Sequence, residues 1–226
     1  MISETDNCLF VHIPKVAGQS VEAVFLARAG LDWGQRERFL LKPNTDPALG
    51  PPRLAHLTAS EYIELGYLSE TEFASMFSFA FVRNPWDRLV SEYLYRKYPY
   101  SFETFLLKHF PKAEDDDYTL GRDLYRHVIP QAKFLYNNEG ELLVDFIGKF
   151  ESLEEDFATV SEKITGERLT LPHKNKSGVS GLKKILGRSK QKKVHYSQYY
   201  TSKTQALVAE LYRDDIRLFN YKFECL

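Results

Sequence analysis

Three short apolar runs, each leading into a helix-forming segment, constrain the fold of this 226-residue chain more than any other feature. The runs are Cys8–Ile13, Phe77–Val82 and Leu142–Phe150. Buried strands that alternate with helices indicate a parallel sheet with crossover helices on its faces. We therefore predict an α/β fold, with a parallel sheet flanked by helices, in a single domain that covers residues 1–226.

Residues that favour helix termini predict where the helices begin and end. Thr58 and Ser69, each with glutamate three residues later, predict two short helices, and Asn84 followed by Pro85 predicts another. Further helices are predicted at Ser20–Ala29, about Phe102–Phe110, Asp123–Tyr136 and about Ser202–Phe219, and one opens at Ser152. The helix at Asp123–Tyr136 is predicted to bend or to begin near Pro130.

One segment differs in composition from the rest of the chain. From Lys174 to Lys193 there are eight lysines and arginines and no acidic residue. Three glycines interrupt any long helix there. We predict a flexible basic loop at about 174–195, either a solvated tether or a lid over the ligand.

Charge and cysteine content exclude several classes of function. The formal net charge of −1 does not favour a nucleic-acid partner. No apolar stretch is long enough for a membrane span. The two cysteines, Cys8 and Cys225, form no metal-binding pattern and no disulfide framework. We predict a cytoplasmic protein, and the sequence leaves its oligomeric state open.

The loop after the first predicted strand, Pro14–Ser20, has the composition of an anion site. Backbone N–H groups at a helix N-terminus favour phosphate, Gly18 allows close approach, and Lys15 adds a charge. An ordinary strand-to-helix turn with an exposed lysine is the alternative. The lysine precedes the glycine, so the order is not that of an ATPase phosphate loop.

The second predicted strand ends in Arg83 rather than in a carboxylate that could hold magnesium. A guanidinium fork binds two phosphate oxygens at once, so a second phosphate bound without a metal is predicted. Pairing of Arg83 with a nearby carboxylate such as Asp87 is the alternative. A kinase would require a magnesium aspartate and a lysine after the glycine.

The segments "HIPKVAGQS" and "FAFVRNPWDRLVSEY" resemble those of sulfotransferases that use 3′-phosphoadenosine-5′-phosphosulfate (PAPS). The resemblance is to the heparan and chondroitin type of carbohydrate sulfotransferase, as a soluble, bacterial-like member. It continues through "FIGKFESLEEDF", "LPHKNKS" and the closing "YYTSKTQALVAELYRDDIRLFNYKF", and so covers most of the chain. Val16 and Gln19 stand where that branch usually has threonines. The implied fold is a P-loop-like domain.

The resemblance implies a role for particular residues of this chain. The residues implied at the 5′-phosphosulfate are Lys15, Ala17, Gly18, Gln19 and Ser20. Arg83 and Ser91 are implied at the 3′-phosphate, and Asn175, Lys176 and Ser177 as lid contacts. The base that deprotonates the acceptor hydroxyl is expected to be His56, with Glu61 as the alternative. Lys15 would also stabilise the leaving oxygen, and no metal is expected.

The predicted function is transfer of a sulfuryl group from PAPS to a hydroxyl acceptor, most simply a carbohydrate, anionic ones included. Two other classes stay open on sequence grounds. One is a P-loop nucleotide or small-molecule kinase, and the other is a non-catalytic module that binds a glycan or a nucleotide.

Overall fold

A four-stranded sheet lies at the centre of the part of the chain that the computed structural model describes, residues 1–172 and 194–225. Its strands follow the chain order and are β1 (Ile2–Ser3), β2 (Cys8–Val11), β3 (Phe77–Val82) and β4 (Phe146–Lys149). β2, β3 and β4 are parallel, and the short β1 is an antiparallel edge strand on β2. The predicted α/β fold with a parallel sheet is confirmed.

Apolar side chains on both faces of the sheet explain why these segments form strands. All four residues of β2 are buried, and so are five of the six in β3. Phe10 pairs with Phe79 across the two strands, with their rings stacked 5.0 Å apart. Strands buried on both faces require helices on both sides, which is how parallel sheets are covered.

Helices follow each parallel strand and pack on the sheet or beside it. Their bounds are α1 (Gly18–Arg28), α2 (Ala59–Glu64), α3 (Glu70–Ser75), α4 (Pro85–Arg96), α5 (Phe102–Lys108), α6 (Ala132–Leu135), α7 (Leu153–Thr165), α8 (Ser202–Leu211) and α9 (Arg213–Leu218). The proline-containing excursion after α1 holds short 3₁₀ turns, among them Trp33–Phe39 and Leu54–His56. A second apolar cluster joins α4, α5 and α8.

The capping signals predicted three helix starts correctly. Thr58 and Ser69 each accept the N–H of the glutamate three residues later, and each glutamate side chain accepts the N–H of its cap. Asn84 caps α4, with Pro85 as its first residue. Local chemistry therefore suffices to place these helix starts.

Two predicted helices are wrong in extent. Residues 123–136 contain only the short α6, because the backbone around His127 and Ile129 gives its carbonyls to the Arg88 side chain instead of to a helix. The predicted helix Ser202–Phe219 is two helices, divided at Tyr212, whose buried hydroxyl donates to the carbonyl of Val128. Tertiary hydrogen bonds override local helix propensity in both places.

Most of the predicted basic loop at 174–195 lies outside the described residues. In residues 1–172 and 194–225, every helix is too short or too polar to cross a bilayer.

Candidate active site

The loop between β2 and α1 has a backbone shape suited to an anion. Lys15 and Ala17 both have left-handed backbone angles, with φ of 73° and 68°. Ala17 is the N-cap of α1, whose first turn has no acidic residue, and no side chain in the described part of the chain caps the helix. Left-handed residues next to an uncapped helix N-terminus turn backbone N–H groups toward one point, which favours a bound anion.

The backbone at position 18 lies so close to His12, which follows β2, that the site requires glycine. A Cβ atom on Gly18 would lie 2.0 Å from Nε2 of His12 and would overlap the imidazole ring. The ring is held from its other side, since Nδ1 of His12 lies 2.6 Å from Oε1 of Glu22 in α1. A glycine therefore lets the loop close directly on a buried histidine.

Two arginine side chains donate hydrogen bonds to backbone carbonyls of the loop. Arg88 is buried, and its Nε donates to the carbonyl of Pro14 at 3.1 Å. Its other nitrogens donate to His127 and Ile129 carbonyls, so this guanidinium is a structural brace rather than a phosphate ligand. Arg83 donates from Nη1 to the carbonyl of Lys15 at 3.0 Å.

Lys15 lies with its ammonium group 3.7 Å above the centre of the Tyr95 ring. Burial lowers the pKa of Lys15 to about 8, because Glu92 offsets only part of the desolvation and Arg83 and Arg96 oppose the charge further. A lysine in this state gains from a nearby anion more than a solvated one does.

Arg83 is buried at the carboxyl end of β3. Nε and Nη2 both contact Oδ2 of Asp87, at 2.8 and 2.7 Å, and the guanidinium lies 4.0 Å from the centre of the Phe150 ring. The pairing with Asp87 that the sequence left open is therefore present, and contacts within residues 1–172 and 194–225 use three of the five N–H donors of Arg83. Ser91 lies half-buried on α4, two turns further along.

A cavity of about 240 Å³ opens beside the loop. Its walls combine imidazoles, cations and apolar groups from several segments: His12, Gln19, Glu22, Trp33, Arg36, Leu41, Lys42, Pro43, Arg53, Ala55, His56, Leu120 and Gly121. Gln19 is exposed, whereas Ser20 is buried. The side chain of Gln19 thus faces the same space as His12 and His56.

His56, the predicted base, is buried at the end of the 3₁₀ turn Leu54–His56 and lines this cavity. Its Nδ1 lies 3.0 Å from the carbonyl oxygen of His12, which can only accept. The proton is therefore on Nδ1, and Nε2 carries the lone pair. Burial, followed by the charge of His12, holds the pKa of His56 well below its usual value, so the imidazole is neutral at neutral pH.

Glu61, the alternative base, is engaged in two other contacts. One carboxylate oxygen accepts the N–H of Thr58 at 2.8 Å, and the other pairs with Arg126 at 2.6 Å. Both contacts hold α2 in place, and together they occupy both oxygens of the carboxylate. The geometry therefore favours His56 over Glu61.

Behind His56 lies a charged cluster that sequence reasoning missed. Asp123 is buried with Oδ2 3.6 Å from Nε2 of His56 and 3.4 Å from Nε2 of His127. Nδ1 of His127 lies 2.8 Å from Glu92, which also pairs with Arg96 at 2.7 Å. The spacing of Asp123 and His127, four residues apart, was the one sequence signal for this cluster, and it depends on the fold to reach His56.

Mutual interactions set the protonation of the cluster. Burial would raise the pKa of Asp123, but His127, His56 and Arg53 together hold it well below its usual range. Burial is likewise outweighed at Glu92, where His127 and Arg96 lower the pKa to about 2. The same two carboxylates raise the pKa of His127 against the effect of burial. Both carboxylates are therefore ionised at neutral pH.

The structure brings most of the predicted site residues to one edge of the sheet. Lys15, Ala17 and Gly18 lie in the loop, and Arg83 donates to its backbone. His12 packs between Gly18 and His56, with the two imidazole rings 4.7 Å apart. The lid contacts Asn175, Lys176 and Ser177 lie outside the described residues. The roles of all these residues, and the absence of a metal from the reaction, stay predictions.

Comparison with protein families gives a match along nearly the whole chain. A family model described as the sulfotransferase family matches residues 1–222. An uncharacterized protein of Archaeoglobus fulgidus is 36% identical over 86 residues, which is 38% of this chain. The match spans 65% of that relative, less than two thirds of its length. No solved structure matches the chain.

Proposed function

The chain belongs to the sulfotransferase family, and from that premise we propose that it transfers a sulfuryl group from PAPS to a hydroxyl of a carbohydrate acceptor. Membership of the family supports sulfuryl transfer and sets aside the kinase alternative. The donor and the acceptor are inferred from the site.

The observation that carries the proposal is the adjacency of an anion loop and a neutral histidine. Gly18 of the loop packs on His12, and the carbonyl of His12 fixes the proton of His56 on Nδ1. Gln19 of the loop and His56 line one cavity. An acceptor in that cavity would lie between a group that removes a proton and a loop that holds an anion.

The residues of the loop fit the phosphosulfate end of PAPS. The donor supplies the sulfuryl group, whose bond to the phosphate oxygen breaks as the acceptor oxygen bonds to sulfur. The N–H groups at the start of α1 would hold phosphate oxygens, and Lys15 would stabilise charge on the leaving oxygen. Arg83, with two N–H donors that no described residue occupies, and Ser91 would hold the 3′-phosphate.

His56 would take the acceptor proton on Nε2. A neutral imidazole whose tautomer is fixed by a backbone carbonyl is ready to accept a proton without rearrangement. The imidazolium that forms lies 3.6 Å from the Asp123 carboxylate, which stabilises its charge. Asp123 thus acts through His56 as a positioning residue.

The cavity favours a polar, anionic acceptor. Arg36, Lys42 and Arg53 contribute three positive charges to its wall, whereas Glu22 is paired with His12. Trp33 adds an aromatic surface, with Arg36 over its ring. Cations beside an aromatic ring suit a sugar that carries a carboxylate or sulfate, since the ring packs on the sugar face and the cations pair with the acid.

Calorimetry with 3′,5′-adenosine bisphosphate and with AMP tests the donor. We expect the bisphosphate to bind far more tightly, and Arg83→Gln to reduce its affinity at least about tenfold, because a charge-assisted hydrogen bond contributes about 1.5–3 kcal/mol. Arg217→Gln, at an exposed arginine, is the matched control. Equal affinity for both nucleotides, or a requirement for magnesium that appears after EDTA treatment, would contradict the assignment.

An acceptor panel with labelled PAPS tests the acceptor. Uronic acid-containing polysaccharides should accept label better than neutral glycans of the same length, with a KM that rises steeply with salt. Arg36→Gln should raise that KM and leave the nucleotide affinity unchanged. Label transfer to neutral glycans alone would overturn the anionic acceptor, and nucleotide binding without transfer to any hydroxyl would favour a non-catalytic module.

A further inference from the structure

We propose that His56, Asp123 and His127 form a binding site for a divalent transition metal, zinc above all, and that a metal bound there inhibits the enzyme by occupying the base. The three side chains come from separate parts of the chain, the turn before α2 and the segment before α6. Their ligand atoms, Nε2, Oδ2 and Nε2, all lie within 4.8 Å of one another.

Two of the three separations between ligand atoms are close to those of a tetrahedral site, and the third is at most 4.8 Å. Oδ2 of Asp123 lies 3.6 Å from Nε2 of His56 and 3.4 Å from Nε2 of His127. Zinc bonds of about 2.0–2.1 Å at tetrahedral angles place neighbouring ligand atoms about 3.4 Å apart. Two of the three separations therefore need almost no movement for a metal to enter.

Each imidazole is oriented by an acceptor on its other nitrogen. Nδ1 of His56 contacts the carbonyl of His12 at 3.0 Å, and Nδ1 of His127 contacts the carboxylate of Glu92 at 2.8 Å. Both rings therefore keep a proton on Nδ1 and point Nε2 at Asp123. Metal-binding histidines are usually oriented in this way, by a carbonyl or a carboxylate behind the ring.

Asp123 supplies the second, independent observation. Its side chain is only 1% exposed, and its cationic neighbours Arg96 and Arg53 approach Oδ1, at 3.2 and 3.8 Å. Oδ2 has no hydrogen-bond partner within residues 1–172 and 194–225. The nearest imidazole nitrogen to Oδ2, Nε2 of His127 at 3.4 Å, is too far for a normal charge-assisted hydrogen bond, and a cation between Oδ2 and the two imidazoles would satisfy this buried oxygen better.

The ligand set selects the class of metal. Two imidazoles and one carboxylate suit zinc, cobalt or nickel, whereas magnesium prefers oxygen ligands and retains water. His56 lines the cavity beside the loop, which gives an ion a route to the cluster and leaves a fourth position on that side. Arg96 and Arg53 pair with Glu92 and Asp123 around the site.

Inhibition is expected because a bound metal would occupy the lone pair on Nε2 of His56. This step rests on the proposed function. Nε2 of His56 cannot bind a metal and accept a proton at the same time. Zinc should therefore suppress sulfuryl transfer reversibly, with recovery on adding EDTA, and leave nucleotide binding intact. The proposed reaction itself uses no metal.

Cobalt absorption spectroscopy and zinc calorimetry on the full chain test the site without any turnover. We expect one equivalent to bind, with the intense visible bands of a tetrahedral cobalt site, and magnesium at the same concentration not to compete. Glu92→Gln should weaken zinc binding about 10–100-fold through the ring it orients, and His127→Gln should weaken it further. His109→Gln, at an exposed histidine outside the cluster, should bind zinc as the native chain does.

The outcomes separate the metal site from the proposed reaction. A native chain that gives no tetrahedral cobalt spectrum, or zinc affinity unchanged in His127→Gln, would overturn the site. Nucleotide affinity shows that each variant is folded. Zinc binding in a chain that never transfers label would sustain the site and refute the reaction. Zinc binding without inhibition of an active chain would show that His56 is not the base and would overturn the inhibitory role.

Discussion

At the scale of single residues, the site depends on how closely the loop approaches two histidines. His12 has its ring between Gly18 and His56, with Glu22 on its Nδ1. The sequence indicated the glycine and the lysine because a loop that holds phosphate needs them. It did not indicate His12, because the contact that makes this residue important is between groups brought together by folding.

Replacing Gly18 with alanine should damage the loop more than the stability of the chain. The added Cβ would overlap the His12 ring, so we expect a loss of about 1–3 kcal/mol in the free energy of unfolding and at least about tenfold in affinity for 3′,5′-adenosine bisphosphate. Gly140→Ala is the control, since its φ of 84° makes alanine unfavourable but no atom lies within 4 Å. It should cost about 1 kcal/mol and leave nucleotide affinity unchanged. Equal effects of Gly18→Ala and Gly140→Ala on nucleotide affinity would contradict the proposal that the loop binds the nucleotide.

The lowered pKa of Lys15 predicts that nucleotide binding depends on pH. With a pKa of about 8, this lysine loses its proton in the free protein as the pH rises through that value. Its charged neighbours Glu92 and Arg96 keep their charges in this range, because the pKa of Glu92 is lowered to about 2 and that of Arg96 is raised. Binding an anion above pH 8 then requires uptake of a proton, so the affinity should fall by up to about tenfold per pH unit.

Calorimetry of 3′,5′-adenosine bisphosphate between about pH 7 and pH 9.5 measures this effect, since the phosphates have finished ionising near pH 7. Lys15→Arg keeps its charge throughout and should give a flat profile. A native profile as flat as that of Lys15→Arg would show that the lysine does not meet the nucleotide.

At the scale of elements, α4 contributes a side chain that holds two other segments of the chain together. Arg88, one turn into α4, is the link between the loop at Pro14 and the segment that carries His127 and Ile129. Local signals predicted the start of α4 from Asn84 and Pro85. They could not predict the irregular segment near Ile129, because its carbonyls are satisfied by a side chain from another element.

Replacing Arg88 with leucine should therefore destabilise the segments that form the site. It leaves three buried carbonyls without a donor, at about 1 kcal/mol or more each, so a loss of roughly 3 kcal/mol in the free energy of unfolding is expected from denaturant titration. Arg217→Leu, in an exposed pair with Asp214, should leave stability nearly unchanged. A small effect at Arg88 would mean that water or neighbouring residues replace its donors.

At the scale of the whole molecule, sequence order predicted which segments would meet at the ligand edge. Parallel strands end at one edge, so the loop after β2 and Arg83 after β3 had to lie near each other. The Asp123 and His127 cluster could not be predicted in that way. Its members lie in a segment whose path is set by Arg88, Gln131 and Asp215 rather than by a regular element.

Turnover of labelled PAPS by His56→Ala, set beside its nucleotide affinity, tests the central claim most directly. If His56 is the base, turnover should fall by about 10²–10⁴-fold while affinity for 3′,5′-adenosine bisphosphate stays within about twofold. Lys15→Ala should reduce both quantities, and His109→Gln neither. Full turnover in His56→Ala, with the native acceptor preference, would contradict the account.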